Sequence, residues 1–277
     1  MAMQRFRQPR VAELVASQLR DDILSGRLKE GDVLPSQESL FAEFGVSPPA
    51  LREAIHILET DGLISVRRGN VGGAVVHHPT AERTAHMLSM VLQTRAATPV
   101  DVSEALVHLE PICAGMCAAR EDRMTEVVPY LQDEIEIQTA QFDEVSQYVP
   151  NARRFHETLV SRCGNEPMIL LIGSLELIWS AHESAVWNGH GEPAPMVDKT
   201  RRAALRDHQR LLDAITDGNA ARAVRLAQDH LAAARRNTLA FGTGQTIEAK
   251  LMSDLEARLD RRSTYNGRPY SRKGSRK

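Results

Sequence analysis

Apolar residues recur at helical spacing in the first sixty residues of the chain, in three blocks separated by short turns. The first block runs from Val11 and stops at Gly26, a residue type that commonly ends helices. Ser36 is placed to cap a second helix, and Ser47 is placed to cap a third that runs to about Thr60. Because only a short turn separates the second and third blocks, the pattern predicts a helix-turn-helix.

Two β-prone runs follow the third block and bracket a glycine-rich turn. Leu63–Val66 and Ala74–Val76 are short and rich in β-branched residues, and the segment between them contains Arg67, Arg68 and three glycines. Glycine lets a backbone approach a sugar-phosphate chain closely, while arginine supplies positive charge. The pattern therefore predicts a β-hairpin wing beside the helix-turn-helix.

Helical periodicity dominates the remainder, and neither a competing strand period nor an internal repeat is found. The predicted helices cover residues 81–96, 100–121, 124–146, 148–163, 166–187, 195–217 and 219–241. A further amphipathic helix is predicted over 246–260, ahead of a basic segment. The fold class is mainly α: a winged helix-turn-helix followed by an all-helical bundle.

The linker His77-His78-Pro79-Thr80 interrupts the strand pattern and sets the predicted domain boundaries. We expect a DNA-binding domain over 1–78, an all-helical effector and dimerisation domain over 79–245, and a tail over 246–277. The tail is interpreted either as a solvated end or as an auxiliary arm that contacts phosphates.

Composition narrows the class of protein. The 277 residues are 42% hydrophobic and 25% charged, which is typical of a globular protein. No apolar run approaches the ~18 residues that cross a bilayer, and the first ten residues lack the apolar core of a signal peptide, so we expect a cytoplasmic protein without a membrane partner. Cys113 and Cys117 stand one helical turn apart and are interpreted as core residues rather than as a thiolate metal site.

Charge is unevenly distributed along the chain. Residues 261–277 carry seven basic and no acidic side chains, whereas residues 79–260 carry 18 basic and 26 acidic ones. A polyanion such as DNA is repelled by a net negative surface. The helical region is therefore a poor candidate for nucleic-acid binding, and the N-terminal region is the better one.

The N-terminal motifs resemble the GntR family of bacterial repressors. The matching segments are Leu34-Pro35-Ser36, Leu40, Phe44-Gly45-Val46-Ser47, Leu51-Arg52-Glu53-Ala54, Leu58-Glu59, Asp61-Gly62-Leu63-Ile64 and Arg68-Gly69. The resemblance implies that Arg52 contacts the operator. Glu38 and Pro48 depart from it, because the family often has arginine at both positions, and this predicts fewer groove contacts.

Candidate DNA contacts combine this helix with the wing. They are Ser36, Ser47, Pro49, Ala50, Arg52, Arg67, Arg68, Gly69 and Asn70, with the basic arm Arg5, Arg7 and Arg10 as a further possibility. A recognition helix reads bases in the major groove, whereas wing arginines bind phosphates without base preference. The alternative is a winged helix used only for protein interaction.

Three histidines stand on the apolar sides of separate predicted helices: His156, His208 and His230. A lone histidine in such a position is usually a hydrogen-bonded core residue. Three of them from different helices can instead converge as imidazole ligands of a divalent metal. Both interpretations remain open from the spacing alone.

The helical region resembles the FadR-type branch of GntR regulators with its FCD ligand domain. The matching segments are Val107-His108-Leu109-Glu110-Pro111, Phe155-His156, Gly164-Asn165, His208 and His230. The resemblance implies that the three histidines line an effector pocket and bind zinc, nickel or manganese. A fourth ligand, aspartate in metal-binding relatives, is replaced by Ala152, and Asn151 is poorly aimed to substitute for it. Water or an effector carboxylate can fill the open positions.

A second departure concerns the effector. Many such regulators have an arginine four residues before the glutamate that matches Glu110, but this chain has Leu106. A small hydroxy acid or sugar acid and a more apolar ligand, such as an acyl thioester or a fatty or aromatic acid, are both consistent with the sequence.

These features predict a homodimeric, ligand-responsive repressor that binds a short inverted repeat in operator DNA. One alternative is a constitutive DNA-binding dimer without an effector. A remote alternative is a metal-dependent hydrolase, but the chain contains no HExxH motif, and we expect no enzyme activity.

Overall fold

The protein is described here from a computed structural model, in which the chain forms two compact units, Met1–Thr80 and Ala81–Lys277. The described residues are 10–67, 73–188, 198–239 and 246–250. Each unit has its own hydrophobic core.

The first unit contains three helices and a two-stranded hairpin. Its elements are α1 (Val11–Leu24), α2 (Gln37–Phe44), α3 (Pro48–Thr60), β1 (Ile64–Arg67) and β2 (Gly73–Val76). The Ser36 hydroxyl accepts a hydrogen bond from the Ser39 backbone N–H and so caps α2. Gly45 ends α2 with φ of 61°, a left-handed conformation that suits glycine. The tight turn brings α3 against α2, as a helix-turn-helix requires.

The strands β1 and β2 are antiparallel, with Ile64 opposite Val76 and Val66 opposite Ala74. Leu51, Ala54 and Leu58 place the buried face of α3 in the core that also receives Ile64 and Val76. The outer face of α3 is thereby left to solvent, as a recognition helix needs.

The second unit is helical throughout its described residues. Its helices are α4 (Ala81–Thr94), α5 (Pro99–Ala119), α6 (Arg123–Glu126), α7 (Val128–Ala140), α8 (Val145–Ser161), α9 (Glu166–Asn188), α10 (Asp198–Thr216) and α11 (Ala220–Leu239). Helix α5 contacts α8, α9, α10 and α11 and forms the centre of the unit. The predicted fold class, mainly α with a small hairpin, is confirmed.

One helix prediction is wrong. The sequence pattern predicted a single helix over 124–146, but the chain forms two, α6 and α7, divided at Val127. Val127 leaves the helical conformation (φ −128°, ψ −60°), and Pro129 in the first turn of α7 has no N–H to continue a preceding helix. Helix α7 also ends at Ala140, before the predicted end at residue 146. A turn at 141–144 separates it from α8.

Among the described helices, α5 is the one that is long and apolar enough to cross a membrane by length and composition. Half of its most apolar window is buried inside the protein, as expected for a central core helix. Cys113 and Cys117 on this helix are fully buried, which confirms their interpretation as core residues.

Candidate functional site

Three helices of the second unit bring His156, His208 and His230 together. His156 lies on α8, His208 on α10 and His230 on α11. The Nε2 atom of His208 lies 3.3 Å from that of His156 and 3.2 Å from that of His230, and the third pair is 3.3 Å apart. The structure therefore places all three sequence-predicted metal ligands in one cluster.

Each ring is oriented by a partner at its other nitrogen. His156 Nδ1–H donates to Glu110 Oε1 at 2.6 Å, and His208 Nδ1–H donates to Gln138 Oε1 at 2.8 Å. His230 Nδ1 lies 3.7 Å from the Asp207 carboxylate, which favours a proton on that nitrogen. With the proton held at Nδ1, each imidazole turns an unprotonated Nε2 toward the other two.

Burial keeps these imidazoles neutral. It lowers the pKa of His208 well below its ordinary value, and His230 and His156 lower that pKa further because a second positive charge nearby is unfavourable. The pKa values of His156 and His230 are also lowered, chiefly by burial. Neutral imidazole is the form that binds a metal, so the cluster is ready for a cation without first losing protons.

The size of the cluster fits a small divalent ion. The centre of a triangle with sides of about 3.3 Å lies about 1.9 Å from each corner (the side divided by √3), close to the ~2.0–2.1 Å of a zinc–nitrogen bond. Three inward lone pairs repel one another at this spacing, and a cation would relieve that repulsion. His156, His208 and His230 could therefore hold a metal ion.

Neighbouring residues fix the packing of the cluster and limit its set of protein ligands. The Phe155 ring stacks on His208, with ring centroids 4.1 Å apart and planes 11° from parallel. Ala152 offers no ligand atom, and the Asn151 amide donates to Gln141 at 2.7 Å, so Asn151 is engaged elsewhere. Among the described residues, the three histidines are thus the ligands of this cluster, and an ion bound to them would keep further coordination positions for small molecules.

A buried group of charged side chains lies behind His156. Burial raises the pKa of Glu110 to about 7, against the lowering effects of a hydrogen bond with Glu176 and the charge of Arg153. Burial and the nearby Glu110 raise the pKa of Glu176 well above its ordinary value. We infer that Glu176 keeps a proton and Glu110 carries the negative charge that orients His156.

Sequence reasoning missed Gln138, Glu176 and Arg153 as parts of this site. Gln138 is almost completely buried on α7, and its Nε2 has no partner among the described residues. A buried amide on a predicted amphipathic helix is a signal of a polar site, because burial without hydrogen bonding is costly. Its partner on α10, seventy residues away, could not be identified from spacing.

The candidate DNA contacts lie on the outer face of the first unit. Arg52 is exposed on α3 and forms no ion pair with a described residue, whereas Arg20 and Arg27 pair with Asp61 and Asp22. A cation without an internal partner is available to an external anion. Arg52 is therefore the arginine on α3 that is open to a ligand.

The other predicted contacts have varied outcomes. Ser47, Pro48 and Pro49 form the exposed start of α3, and Ala50 is half-buried beside them. Arg10 lies 3.5 Å from Glu53 in an exposed ion pair. Outside the described residues lie the side chain of Arg67 and all of Arg5, Arg7, Arg68, Gly69 and Asn70.

The chain matches two protein families. Residues 11–75 match the bacterial regulatory proteins of the gntR family, and residues 101–233 match the FCD domain. The first match covers the helix-turn-helix and hairpin, and the second contains the three histidines with Glu110 and Gln138.

Curated relatives cover most of the chain. It is 27% identical over 251 residues to the HTH-type transcriptional regulator Mce2R of Mycobacterium tuberculosis, a match covering 88% of this chain and 98% of the relative. It is 25% identical over 240 residues to the HTH-type transcriptional repressor NanR of Salmonella arizonae, covering 84% and 86%. The fold is similar to that of a Streptococcus agalactiae GntR protein, with a TM-score of 0.62, 21% identity, and 82% and 99% coverage.

Proposed function

The chain belongs to the GntR family of bacterial regulatory proteins and carries an FCD domain, and on this basis we propose that it represses transcription in response to a small carboxylate or acyl metabolite held at a divalent metal. It is a DNA-binding transcription regulator with an effector-binding domain, not an enzyme. The metal, the chemistry of the effector and the homodimer are the further parts of the proposal.

The observation that carries the metal proposal is the convergence of three unprotonated Nε2 atoms within 3.3 Å in a buried site. Zinc and nickel suit imidazole ligands better than manganese, which prefers oxygen donors, so the three histidines favour the first two ions. When bound, the ion would supply positive charge and open coordination positions to an effector carboxylate or to water. The protein residues hold the ligands in place: Glu110 orients His156, and Gln138 orients His208.

The residues around the histidine cluster constrain the chemistry of the effector. Leu106 is buried one helical turn before Glu110 and supplies no cation for a carboxylate. Arg153 already interacts electrostatically with both Glu110 and Glu176. An effector acid would thus depend on the metal for its charge partner, while Leu106 and Phe155 favour an apolar portion.

The homodimer proposal is supported by exposed apolar side chains on two helices that pack against each other, α4 and α9. Met87 and Val91 stand one turn apart on α4 with 60% and 53% of their surfaces exposed, and Leu171 on α9 is 60% exposed. Exposed apolar side chains that form a contiguous patch mark an interaction surface, and the packing of α4 on α9 would bring these three together. A two-fold symmetric pair would also place two winged helices on an inverted repeat.

Native mass spectrometry of freshly purified protein tests these parts together. We expect a dimer that carries one zinc, nickel or manganese ion per chain and is bound by inverted-repeat DNA in a gel-shift assay. A metal-free protein after growth in each of the three metals would contradict the metal proposal. A monomer at micromolar concentration that binds operator one to one would contradict the dimer.

A further inference from the structure

The segment Thr246–Lys250 packs on the helical unit after the match to the FCD domain has ended at residue 233. Ile247 has no exposed surface and belongs to the main hydrophobic core of the unit, and Ala249 is also buried. Thr246, Glu248 and Lys250 are exposed. The alternation of buried and exposed residues shows that this short segment docks by one face.

The backbone N–H groups of three successive residues in the segment donate hydrogen bonds to acceptors on the helical unit. Ile247 N–H donates to the Ala97 carbonyl at 2.8 Å, Glu248 N–H donates to His182 Nε2 at 2.8 Å, and Ala249 N–H donates to Gln93 Oε1 at 3.0 Å. Gln93 lies on α4, Ala97 in the turn after it, and His182 on α9. The segment therefore ties the end of α4 to α9.

The turn after α4 is shaped for this contact. Ala96 has φ of 52°, the one positive φ of a non-glycine residue among those described. Alanine adopts this conformation at a steric cost, so surrounding contacts must hold it in place. The next residue, Ala97, presents the carbonyl that accepts Ile247 N–H.

The two hydrogen bonds of His182 define its protonation state. Its Nδ1 lies 2.8 Å from the Ile178 carbonyl, which can only accept, so Nδ1 carries the proton. Its Nε2 accepts from Glu248 N–H and must be unprotonated. A doubly protonated ring would direct an N–H at the Glu248 N–H, and the hydrogen bond would be lost.

The surroundings of His182 favour the neutral ring. Burial lowers its pKa, opposed by the hydrogen bond to Ile178 and the negative charge of Glu248. Within the described part of the chain, Glu248 is the charged group that acts on this ring. On α4, the group that contacts the segment is the neutral Gln93 amide, which accepts from Ala249 N–H. Because Glu248 N–H can donate only to an unprotonated Nε2, docking of the segment favours the neutral ring. The stabilisation from this hydrogen bond is therefore complete above the ordinary histidine pKa of about 6.5 and is lost as the pH falls below it.

We propose that Thr246–Lys250 is a C-terminal latch, which docks on α4 and α9 while His182 is neutral and is released when His182 is protonated. The latch is independent of the proposed metal, because His182 is none of the three clustered histidines. Since α4 begins at the boundary with the DNA-binding unit, the latch controls how firmly the first helix of the effector unit is held.

Hydrogen exchange of the full-length protein, measured by mass spectrometry with a chelator present, tests the latch. Between pH 7.5 and 5.5, protection of the amides of residues 247–249, corrected for intrinsic exchange, should fall by up to about tenfold, the limit for one group of ordinary pKa near 6.5 that takes up a proton only on release. Protection of the Cys113–Ala118 amides in α5 reports that the core remains folded.

Two variants separate the switch from the docking. His182→Gln keeps an acceptor that does not titrate, so we expect protection of residues 247–249 to be unchanged across the pH range. Ile247→Ala removes the buried side chain and should lower protection at every pH. The latch is rejected if these amides are unprotected in the parent protein. The switch is rejected if their protection is independent of pH, or if His182→Gln loses protection as the parent does.

Discussion

The two units present their functional residues in opposite ways. In the first unit, Arg52 is exposed on α3, a helix whose opposite face forms the core. In the second unit, His208 is fully buried, and its partners His156 and His230 come from other helices, 52 and 22 residues away along the chain. An exposed contact residue depends mainly on local helix geometry, whereas the buried site depends on the packing of several helices.

The two sites also differ in the charge of their functional side chains. The Arg52 guanidinium is exposed to water, where it is available to a phosphate or base. The histidines lose theirs, because burial disfavours the protonated ring and Glu110 and Gln138 hold the remaining proton at Nδ1. The exposed site can bind an anion, and the buried one can bind a cation.

Loss of a metal ligand should give the largest effect and leave DNA binding intact. In His208→Ala, we expect metal affinity to fall by more than about 100-fold, because two imidazoles rarely retain such an ion. Stabilisation by metal, about 2.7 kcal/mol when the ion is at 100 times its Kd, should disappear from thermal unfolding. Calorimetric titration and melting measure both quantities.

The exposed histidine His108 on α5 supplies the matched control for that variant. His108→Ala should retain the metal and the response to it. If His208→Ala retained full metal affinity, the histidine cluster would not be the metal site. If His208→Ala lost operator affinity in metal-free buffer, DNA binding by the first unit would depend on the histidine cluster of the second.

Removal of the exposed Arg52 side chain should weaken DNA binding and leave metal binding intact. Arg52→Ala is expected to weaken operator binding by about 1–3 kcal/mol, the usual value of a side chain that contacts a base, without changing metal affinity. Gel shifts or fluorescence anisotropy with specific and scrambled DNA measure the loss. Arg27→Ala, which removes an arginine already paired with Asp22, should have little effect. Equal losses in the two variants would show that general charge, rather than Arg52, carries the contact.

A substitution of Gln138 tests whether the residue that bonds His208 contributes to metal affinity. Gln138→Leu removes the acceptor for His208 Nδ1–H, so the ring loses its fixed orientation, and metal affinity should fall about 10- to 100-fold. Gln132→Leu on the same helix, where the amide instead bonds Glu136, is the control and should bind metal normally. Unchanged affinity in Gln138→Leu would mean that helix packing alone orients the histidine.

The smallest expected effect is an increase in metal affinity on restoring an acidic side chain at position 152. Ala152 lies one turn before His156 on α8, so an aspartate there points toward the same side of the helix. Ala152→Asp should tighten metal binding roughly tenfold by adding an anionic ligand. Asn151→Asp adds the same charge one residue away and should not match that gain. Equal affinities in both variants would indicate a general charge effect instead of coordination.

Much of the fold could be predicted from the sequence because its determinants are local. Serine and glycine at the ends of α2, the proline-started α3 and the 3.6-residue period of the long helices all act within a few residues. The error over 124–146 has the same origin: the apolar period continues through Val127 and Pro129, and periodicity alone did not reveal the break.

The site was predictable only as a set of candidates. The sequence by itself determined that three histidines stand on apolar helix faces and that Ala152 supplies no ligand, since helix geometry assigns each residue to a face. Tertiary structure alone decided that their Nε2 atoms meet within 3.3 Å, that Gln138 and Glu110 orient them, and that Ile247 returns to the core beside His182. Those contacts join residues tens of positions apart, and their geometry follows from how whole helices pack rather than from any local pattern.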